Sequence, residues 1–344
     1  MTVQTTPGTP RRVALLGLNA RAERLLIPGL LAAGNCTLTA LCSRSAEKAA
    51  AVAARHGVPH SFGSVEALLA SGVADTIFIN TPPGAHRAAA VAAAQAGLAV
   101  ICEKPLADSA AAAKEIADAV AAAGVASAVH FTYRGVAGTR MVARLLEQGA
   151  IGRLLLLQTA LLQAKELQAG APGRSALVEI GSHGLDLCRW WLASAGAGAD
   201  LALEHAASTA SAASAADLTV NAVCRSSSGA LVTLLVTRAA LGFGNGIRAL
   251  LCGDKGSIEL TLDADSVVLQ VATAGQPFAP LAVAEDLQVS YTAFPAVQMR
   301  ALIGSVDGTQ QFPTVQAALE VQGLQDAIAQ RAGLEPASLA SAGR

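Results

Sequence analysis

The chain has 344 residues with 24 Lys and Arg against 25 Asp and Glu, a net charge of -1, 53% hydrophobic and only 3% aromatic residues. This length fits two domains, and a near-neutral chain without a Lys/Arg cluster lacks the cationic surface that attracts nucleic-acid phosphates. The longest weakly polar run, Ala88 to Cys102, contains Gln95 and Gly97 and is too short to cross a bilayer, so neither a nucleic-acid partner nor a transmembrane helix is expected.

Arg11 and Arg12 precede an apolar stretch, but Arg21, Glu23 and Arg24 interrupt it after one strand length, unlike a signal peptide. A cytoplasmic location is expected. From residue 12 to about 131, short β-type runs alternate with Ala-rich segments of helical length, the pattern of a parallel sheet covered by helices. The spacing predicts strands over 12–16, 37–42, 76–80, 99–102 and 126–131. Helices are predicted over 21–33, 46–56, 65–70, 85–96 and 109–123, with Gly34, Gly57, Gly72, Gly97 and Gly124 at or beyond their ends. Residues 1–131 thus read as a doubly wound, Rossmann-type α/β domain.

The pattern then changes to a helix (136–149), a long strand (154–164), a loop and a helix (184–193). Two hairpins follow, 219–225 with 230–237 and 247–252 with 257–262, and helices near 294–305 and 314–331 come last. Residues 132–344 read as an α+β domain with a mostly antiparallel sheet. The Ala/Gly/Ser stretch 193–216 reads as a mobile loop or an edge. Six cysteines are scattered singly, mostly in apolar segments, and read as reduced core residues; no His or Cys spacing suits a metal, so none is expected.

Four segments carry chemistry. The first predicted strand runs into Gly17-Leu18-Asn19-Ala20-Arg21-Ala22, where a dinucleotide-binding turn has G-x-G-x-x-G/A; Gly17 and Ala22 fit, and Asn19 replaces the central glycine. The second strand ends at Cys42-Ser43-Arg44-Ser45, where an NAD site would carry a carboxylate for the adenosine ribose. A guanidinium flanked by hydroxyls suits a 2′-phosphate instead, so NADP(H) is preferred over NAD(H); the alternative makes Ser45 a helix cap and Arg44 a solvated loop residue. Glu103-Lys104-Pro105 follows the predicted strand over 99–102, at the carboxyl edge where open α/β sheets bind ligands. A partly desolvated lysine there can exchange a proton with a substrate hydroxyl. Glu179, His183 and Asp186 lie at a loop-to-helix entry, a place suited to aiming polar groups into a cleft.

These residues resemble the glucose-fructose oxidoreductase / inositol dehydrogenase / rhizopine-catabolism (Gfo/Idh/MocA) oxidoreductases over nearly the whole chain. The resemblance is carried by the turn 17–22, Asn80-Thr81-Pro82-Pro83 with His86, Cys102-Glu103-Lys104-Pro105-Leu106-Ala107, Tyr133-Arg134, 147–153, 181–186 and 253–256. It implies a cofactor site at Gly17, Asn19, Ala20, Ser43, Arg44, Ser45, Asn80, Thr81, Pro82, His86, Glu103 and Lys104. It further implies catalysis by Lys104, His183 and Glu179, a domain for substrate binding and oligomerisation over 132–344, and a homodimer or homotetramer. Beside these, Asp186 is expected to bind a substrate hydroxyl, and Arg134, just past the last predicted strand of the first domain, either lines the cleft or lies at the surface. Glu179 stands where the family usually has Asp, and Arg174 to Leu177 replace its usual Gly-Gly segment. The expected reaction interconverts a secondary alcohol and a ketone on a sugar, polyol or similar small polar molecule. A non-catalytic dinucleotide-binding sensor is the rival reading, and a reductase of imines or non-sugar carbonyls is a third.

Overall fold

A computed structural model describes residues 10–165, 175–210, 216–263, 266–290, 293–309 and 311–334. The chain divides into two compact units, Met1–Gly135 with Val289–Gln322, and Val136–Gln288 with Gly323–Arg344.

The first unit begins with β1 (Arg11–Leu16), a widened helical turn (Ala22–Leu26) continuing into α1 (Ile27–Ala32), β2 (Cys36–Cys42), α2 (Ala46–His56), β3 (His60–Phe62) and α3 (Val65–Ser71). It goes on through β4 (Thr76–Ile79), α4 (His86–Gln95), β5 (Ala99–Glu103), α5 (Ala110–Ala123) and β6 (Ser127–His130). The strands pair in the order β3-β2-β1-β4-β5-β6, all parallel. Sheets of this kind are covered on both faces, which is why β4 and β5 are buried at every position. The helix boundaries follow from local chemistry. Ser45, Ser64 and Ser109 each accept a hydrogen bond from the backbone N–H three residues on, and Gly57, Gly72 and Gly124 end those helices in the left-handed conformation. The three-residue β3 is too short to leave a sequence pattern.

The second unit comprises α6 (Ala137–Glu147), β7 (Leu154–Leu162), a widened turn (Leu177–Gly181) leading into α7 (Ser182–Ser194), β8 (Leu201–Ala210), β9 (Asp217–Ser226) and β10 (Leu231–Thr237). It continues with β11 (Gly246–Gly253), β12 (Gly256–Asp263), β13 (Ser266–Thr273) and β14 (Ala279–Pro280). These form an eight-stranded sheet, β14-β13-β12-β11-β7-β10-β9-β8, antiparallel except for the pair β7 and β10. Alternate residues such as Leu157, Leu161, Val232, Leu234 and Leu251 are buried on one face. The low-complexity stretch contributes β8, which is an edge strand, while 211–215 and Arg174 lie outside the described residues.

The break at Gly135 lies close to the boundary expected after residue 131, and the chain then returns to the first unit at Val289. α8 (Phe294–Gly304) and the residues after it return to the first unit, and α9 (Val315–Arg331) begins in the first unit and ends in the second. Met299, Leu302, Ile303, Val306 and Phe312 share one core with Val13, Leu15, Leu30 and Phe78. Apolar periodicity identified that helix but not the core it completes. No helix among the described residues is long and apolar enough to cross a membrane.

Candidate active site

At the carboxyl edge of the first sheet, three strand ends meet on Gly17. Its N–H donates to Cys42 O (3.0 Å), its carbonyl accepts from Asn80 Nδ2 (2.9 Å), and Asn80 N–H donates to Leu16 O (2.8 Å). Gly17 has φ +98°, and a Cβ there would lie 2.5 Å from Asn80 O. Only glycine permits this turn. Asn19, where the common fingerprint has glycine, caps the following helix: its Oδ1 accepts from Ala22 N–H at 2.9 Å. The substitution therefore reinforces the helix start that a dinucleotide pyrophosphate needs.

The expected cofactor residues sort into two groups. Asn19, Ala20, Arg44 and Pro82 are exposed, and Gly17, Ser43, Ser45, Thr81 and Lys104 are half-buried. Asn80, His86 and Glu103 are instead drawn inward. His86 Nε2 lies 2.7 Å from Thr81 O and its Nδ1 3.2 Å from both Pro105 O and Leu106 O, so the one proton of the neutral ring goes either to the loop after β4 or to the loop after β5. Ser45 Oγ accepts from Lys48 N–H and donates to Glu47 Oε2, the capping role its position had suggested as the alternative. Arg44 remains as the exposed cation after β2.

Glu103, expected at the cofactor, lies 5% exposed in an ion network. Its Oε1 accepts from His130 Nδ1 (2.7 Å) and from Arg21 Nη1 (2.5 Å). His130 Nε2 donates to Gln298 Oε1 (3.1 Å), whose Nε2 donates to Thr132 O (2.8 Å). Burial alone would raise the Glu103 carboxyl, but the charges of His130 and Arg21 outweigh it and bring the pKa down to about 2. The next residue, Lys104, is half-buried at the start of a cis Lys104-Pro105 peptide, between fully enclosed neighbours. It is the one side chain of 99–107 that is not buried.

Burial holds His86 below the ordinary histidine pKa, against the opposing carbonyls and the Glu103 charge. The depressed folded-state value means that folding favours the neutral ring. Its contribution is complete above pH 6.5 and is lost as pH falls below that. Thermal melts from pH 7 to pH 5 are therefore expected to show a declining Tm, with a shallower decline in His86→Gln. Equal slopes would show that His86 does not carry this dependence.

In the second unit, Glu179 belongs to the widened turn before α7, a type of helical irregularity common at functional sites. Val178 N–H donates to Ser175 Oγ (3.1 Å) and Leu177 N–H to Asp217 Oδ2 (2.9 Å), which fix the start of that turn. Glu179 is the only residue of 175–189 that is not buried. Its Oε2 lies 3.9 Å from Nη1 of Arg238, a 4% exposed arginine that also donates to Gln163 Oε1 (3.3 Å). His183 is 7% exposed in the first turn of α7. Gly184 lets that turn press on the sheet, since a Cβ there would meet Leu234 Cδ1 at 2.5 Å. Asp186 and Arg189, one turn on, are both buried.

Sequence reading missed Arg238 and Gln163. Their only signal is that each follows the end of one of the two parallel-paired strands, β10 and β7. Arg134, expected in the cleft or at the surface, is buried in the first unit, where Nη1 donates to Gln311 O (3.5 Å). The six cysteines are free thiols, and burial pushes Cys42 to about 11 and Cys188 to about 12. Among the described residues no group of three His, Cys, Asp or Glu could hold a metal ion.

Residues 11–131 match the oxidoreductase family with the NAD-binding Rossmann fold, and residues 139–259 match the GFO/IDH/MocA C-terminal domain. The chain belongs to the GFO/IDH/MocA oxidoreductase family. It is 30% identical to 1,5-anhydro-D-fructose reductase of Ensifer adhaerens over 188 residues, 53% of this chain and 56% of the relative. Against levoglucosan dehydrogenase of Pseudarthrobacter phenanthrenivorans the identity is 32% over 154 residues, 42% of this chain and 40% of the relative. The chain thus spans about half the length of the relatives it matches. An oxidoreductase domain protein from Kribbella flavida shares the fold with a TM-score of 0.83 at 24% identity, covering 94% of this chain and 97% of that one.

The first unit fits a dinucleotide. Its strand order is that of the dinucleotide-binding sheet, the Gly17 turn opens a helix, and Thr81 Oγ1, beside Asn80 at the same edge, is buried with no hydrogen-bond partner among the described residues.

Proposed function

We propose that this protein is an NADP(H)-dependent oxidoreductase that interconverts a secondary alcohol and a ketone on a sugar, polyol or similar small polar molecule. The observation that carries the reading is Lys104, the single half-exposed side chain in an otherwise buried stretch at the carboxyl edge of a dinucleotide-type sheet. Family membership and the sugar-directed names of the relatives support the substrate class.

When bound, the nicotinamide supplies or takes the hydride. Gly17, Asn19 and Ala20 form the turn for the pyrophosphate, and Ser43 and Arg44 face the adenosine ribose. Lys104 hydrogen-bonds and polarises the reacting oxygen through its ammonium. His183 Nε2 or Nδ1 is assigned to donate or accept the proton, and Glu179, 3.9 Å from the Arg238 guanidinium, to orient His183. Asp186 is assigned to a substrate hydroxyl. Purified protein with NADPH or NADP+ and a panel of sugars, polyols and their ketones is expected to change absorbance at the reduced-nicotinamide band. Saturable dinucleotide binding without turnover across the panel would count against the enzyme reading.

The preference for NADP(H) rests on Arg44, because the Ser45 hydroxyl is engaged in its helix cap. Charge-assisted hydrogen bonds contribute roughly 1.5–3 kcal/mol, and solvent exposure of Arg44 puts the expected preference near the lower end, about tenfold. Arg44→Ala is expected to erase most of it, read by titrating both cofactors into both proteins at one fixed salt concentration. A wild-type preference for NAD(H), or one for NADP(H) that survives the substitution, would overturn the assignment.

A homodimer or homotetramer built on the second sheet is part of the same proposal. On the face opposite the buried one, half-buried Leu231 pairs across strands with Leu156, and Leu235 with Ala160. Thr233 pairs with Gln158 between them, and a second copy of this chain would cover this mixed face. Sedimentation is expected to give a dimer or tetramer mass, and a monomer at micromolar concentration would contradict it. A cytoplasmic location is likewise proposed, on the six free thiols.

A further inference from the structure

Arg21 is the second residue of the helix that Asn19 caps, and its side chain reaches Glu103 at the end of β5. In the order β3-β2-β1-β4-β5-β6, β2 lies on one side of β1 and β4 with β5 on the other. In dinucleotide-binding sheets the end of the second strand takes the adenosine ribose, which leaves the β4–β5 side for the nicotinamide half. Arg21 therefore extends toward the nicotinamide side of the turn.

Glu103 is held too firmly to serve as a ligand itself. Its Oε1 takes hydrogen bonds from both His130 and Arg21, and it is enclosed. His130 in turn packs between the rings of Phe78 (centroids 5.7 Å apart, edge-on) and Phe312 (5.8 Å), and donates to Gln298. The Arg21 side chain, by contrast, stays 37% exposed. A guanidinium has five N–H donors in a fixed fork, so an anchor on one side aims the others.

We propose that Arg21, anchored by the buried Glu103, is a binding residue for the ribose-phosphate of the nicotinamide half, and that Glu103 is its positioning residue rather than a dinucleotide contact. The proposal rests on the dinucleotide-enzyme reading above. It also gives the Glu-Lys-Pro segment two separate roles: Glu103 holds Arg21 for the cofactor, while Lys104 serves the substrate oxygen.

The test is equilibrium titration of the reduced dinucleotide by fluorescence into wild type, Arg21→Met, Arg21→Lys and Glu103→Gln. The adenosine fragment that the wild type binds, adenosine 5′-monophosphate or adenosine 2′,5′-bisphosphate, is titrated in parallel, and apo-protein melting is recorded for each variant. Loss of a charge-assisted contact predicts that Arg21→Met weakens the dinucleotide by about tenfold or more. The adenosine fragment should stay within about twofold on the same reasoning, because the lost contact lies in the other half of the cofactor. Arg21→Lys should recover part of the loss, and Glu103→Gln should weaken the dinucleotide although Arg21 is present. An unchanged dinucleotide Kd in Arg21→Met, even with a lowered Tm, would reduce the pair to a structural ion pair and overturn the proposal. So would an equal loss for dinucleotide and adenosine fragment. A wild type that binds no dinucleotide defeats the parent reading itself, and that result needs no variant.

Discussion

Lys104→Ala is expected to lower kcat by about three orders of magnitude while leaving the dinucleotide Kd within about twofold, since positioned proton-handling groups contribute roughly 10²- to 10⁴-fold. The separation follows from where the residue sits. The turn that suits the pyrophosphate is stitched by Gly17, Asn80 and Cys42, and Lys104 takes no part in those hydrogen bonds. The side chain emerges from a segment whose other members are enclosed, so truncation removes a functional group without opening the core. Stopped-time turnover and cofactor titration on the same preparation check both halves. A variant that keeps near wild-type kcat removes Lys104 from the chemistry, and one that loses cofactor binding to the same degree as turnover makes it a binding residue.

The second large effect is expected at His183. His183→Ala should reduce kcat by about 10²- to 10⁴-fold as a lost acid-base group. The residue is 7% exposed, so its removal also leaves space beneath α7. His183→Gln, which keeps volume and hydrogen-bonding capacity, separates the two effects: it should retain the wild-type melting transition and still lose turnover. Glu179→Gln is expected to act in the same direction with a smaller loss. It removes the charge beside the buried Arg238 guanidinium but keeps an amide oxygen there, where Glu179→Ala would remove the polar side chain altogether. If His183→Gln keeps its rate and only His183→Ala unfolds, the histidine is a packing element of α7.

Much of this arrangement is legible in the sequence because it is local. Strands buried on both faces read as continuous apolar runs, and Ser caps with Gly stops mark α2, α3 and α5 to within a residue. The edge strand β8 reads in sequence only as a loop or an edge, because its Ala, Ser and Thr residues, mostly exposed, carry neither an apolar alternation nor β-branched enrichment. The allocation of α8 to the first unit is a long-range fact: Gln298 meets His130 across 168 residues of chain, and no periodicity encodes that.

The candidate site divides in the same way. Spacing and strand ends single out Gly17, Lys104, Glu179 and His183 as candidates, since turns and strand termini have sequence signatures. Whether a polar residue at such a place turns outward or inward depends on its partners. Glu103 and His86 belong to motifs associated with cofactor binding, yet one is fixed by Arg21 and His130, and the other is buried among three backbone carbonyls. Asn19 shows the reverse, a departure from the fingerprint that the structure uses as a helix cap.

The central claim is hydride transfer between a bound nicotinamide and a carbonyl carbon, and isotope tracing tests it most directly. Reduced dinucleotide carrying deuterium at the transferring position of nicotinamide C4 would be incubated with the protein and ketone forms of sugars and polyols, and the products read by mass spectrometry. The expected product is an alcohol bearing one deuterium on the former carbonyl carbon, formed in step with oxidised dinucleotide and about a thousandfold more slowly with Lys104→Ala. Saturable binding of the dinucleotide with no label in any product would contradict it and identify a protein that reads the cofactor without using it.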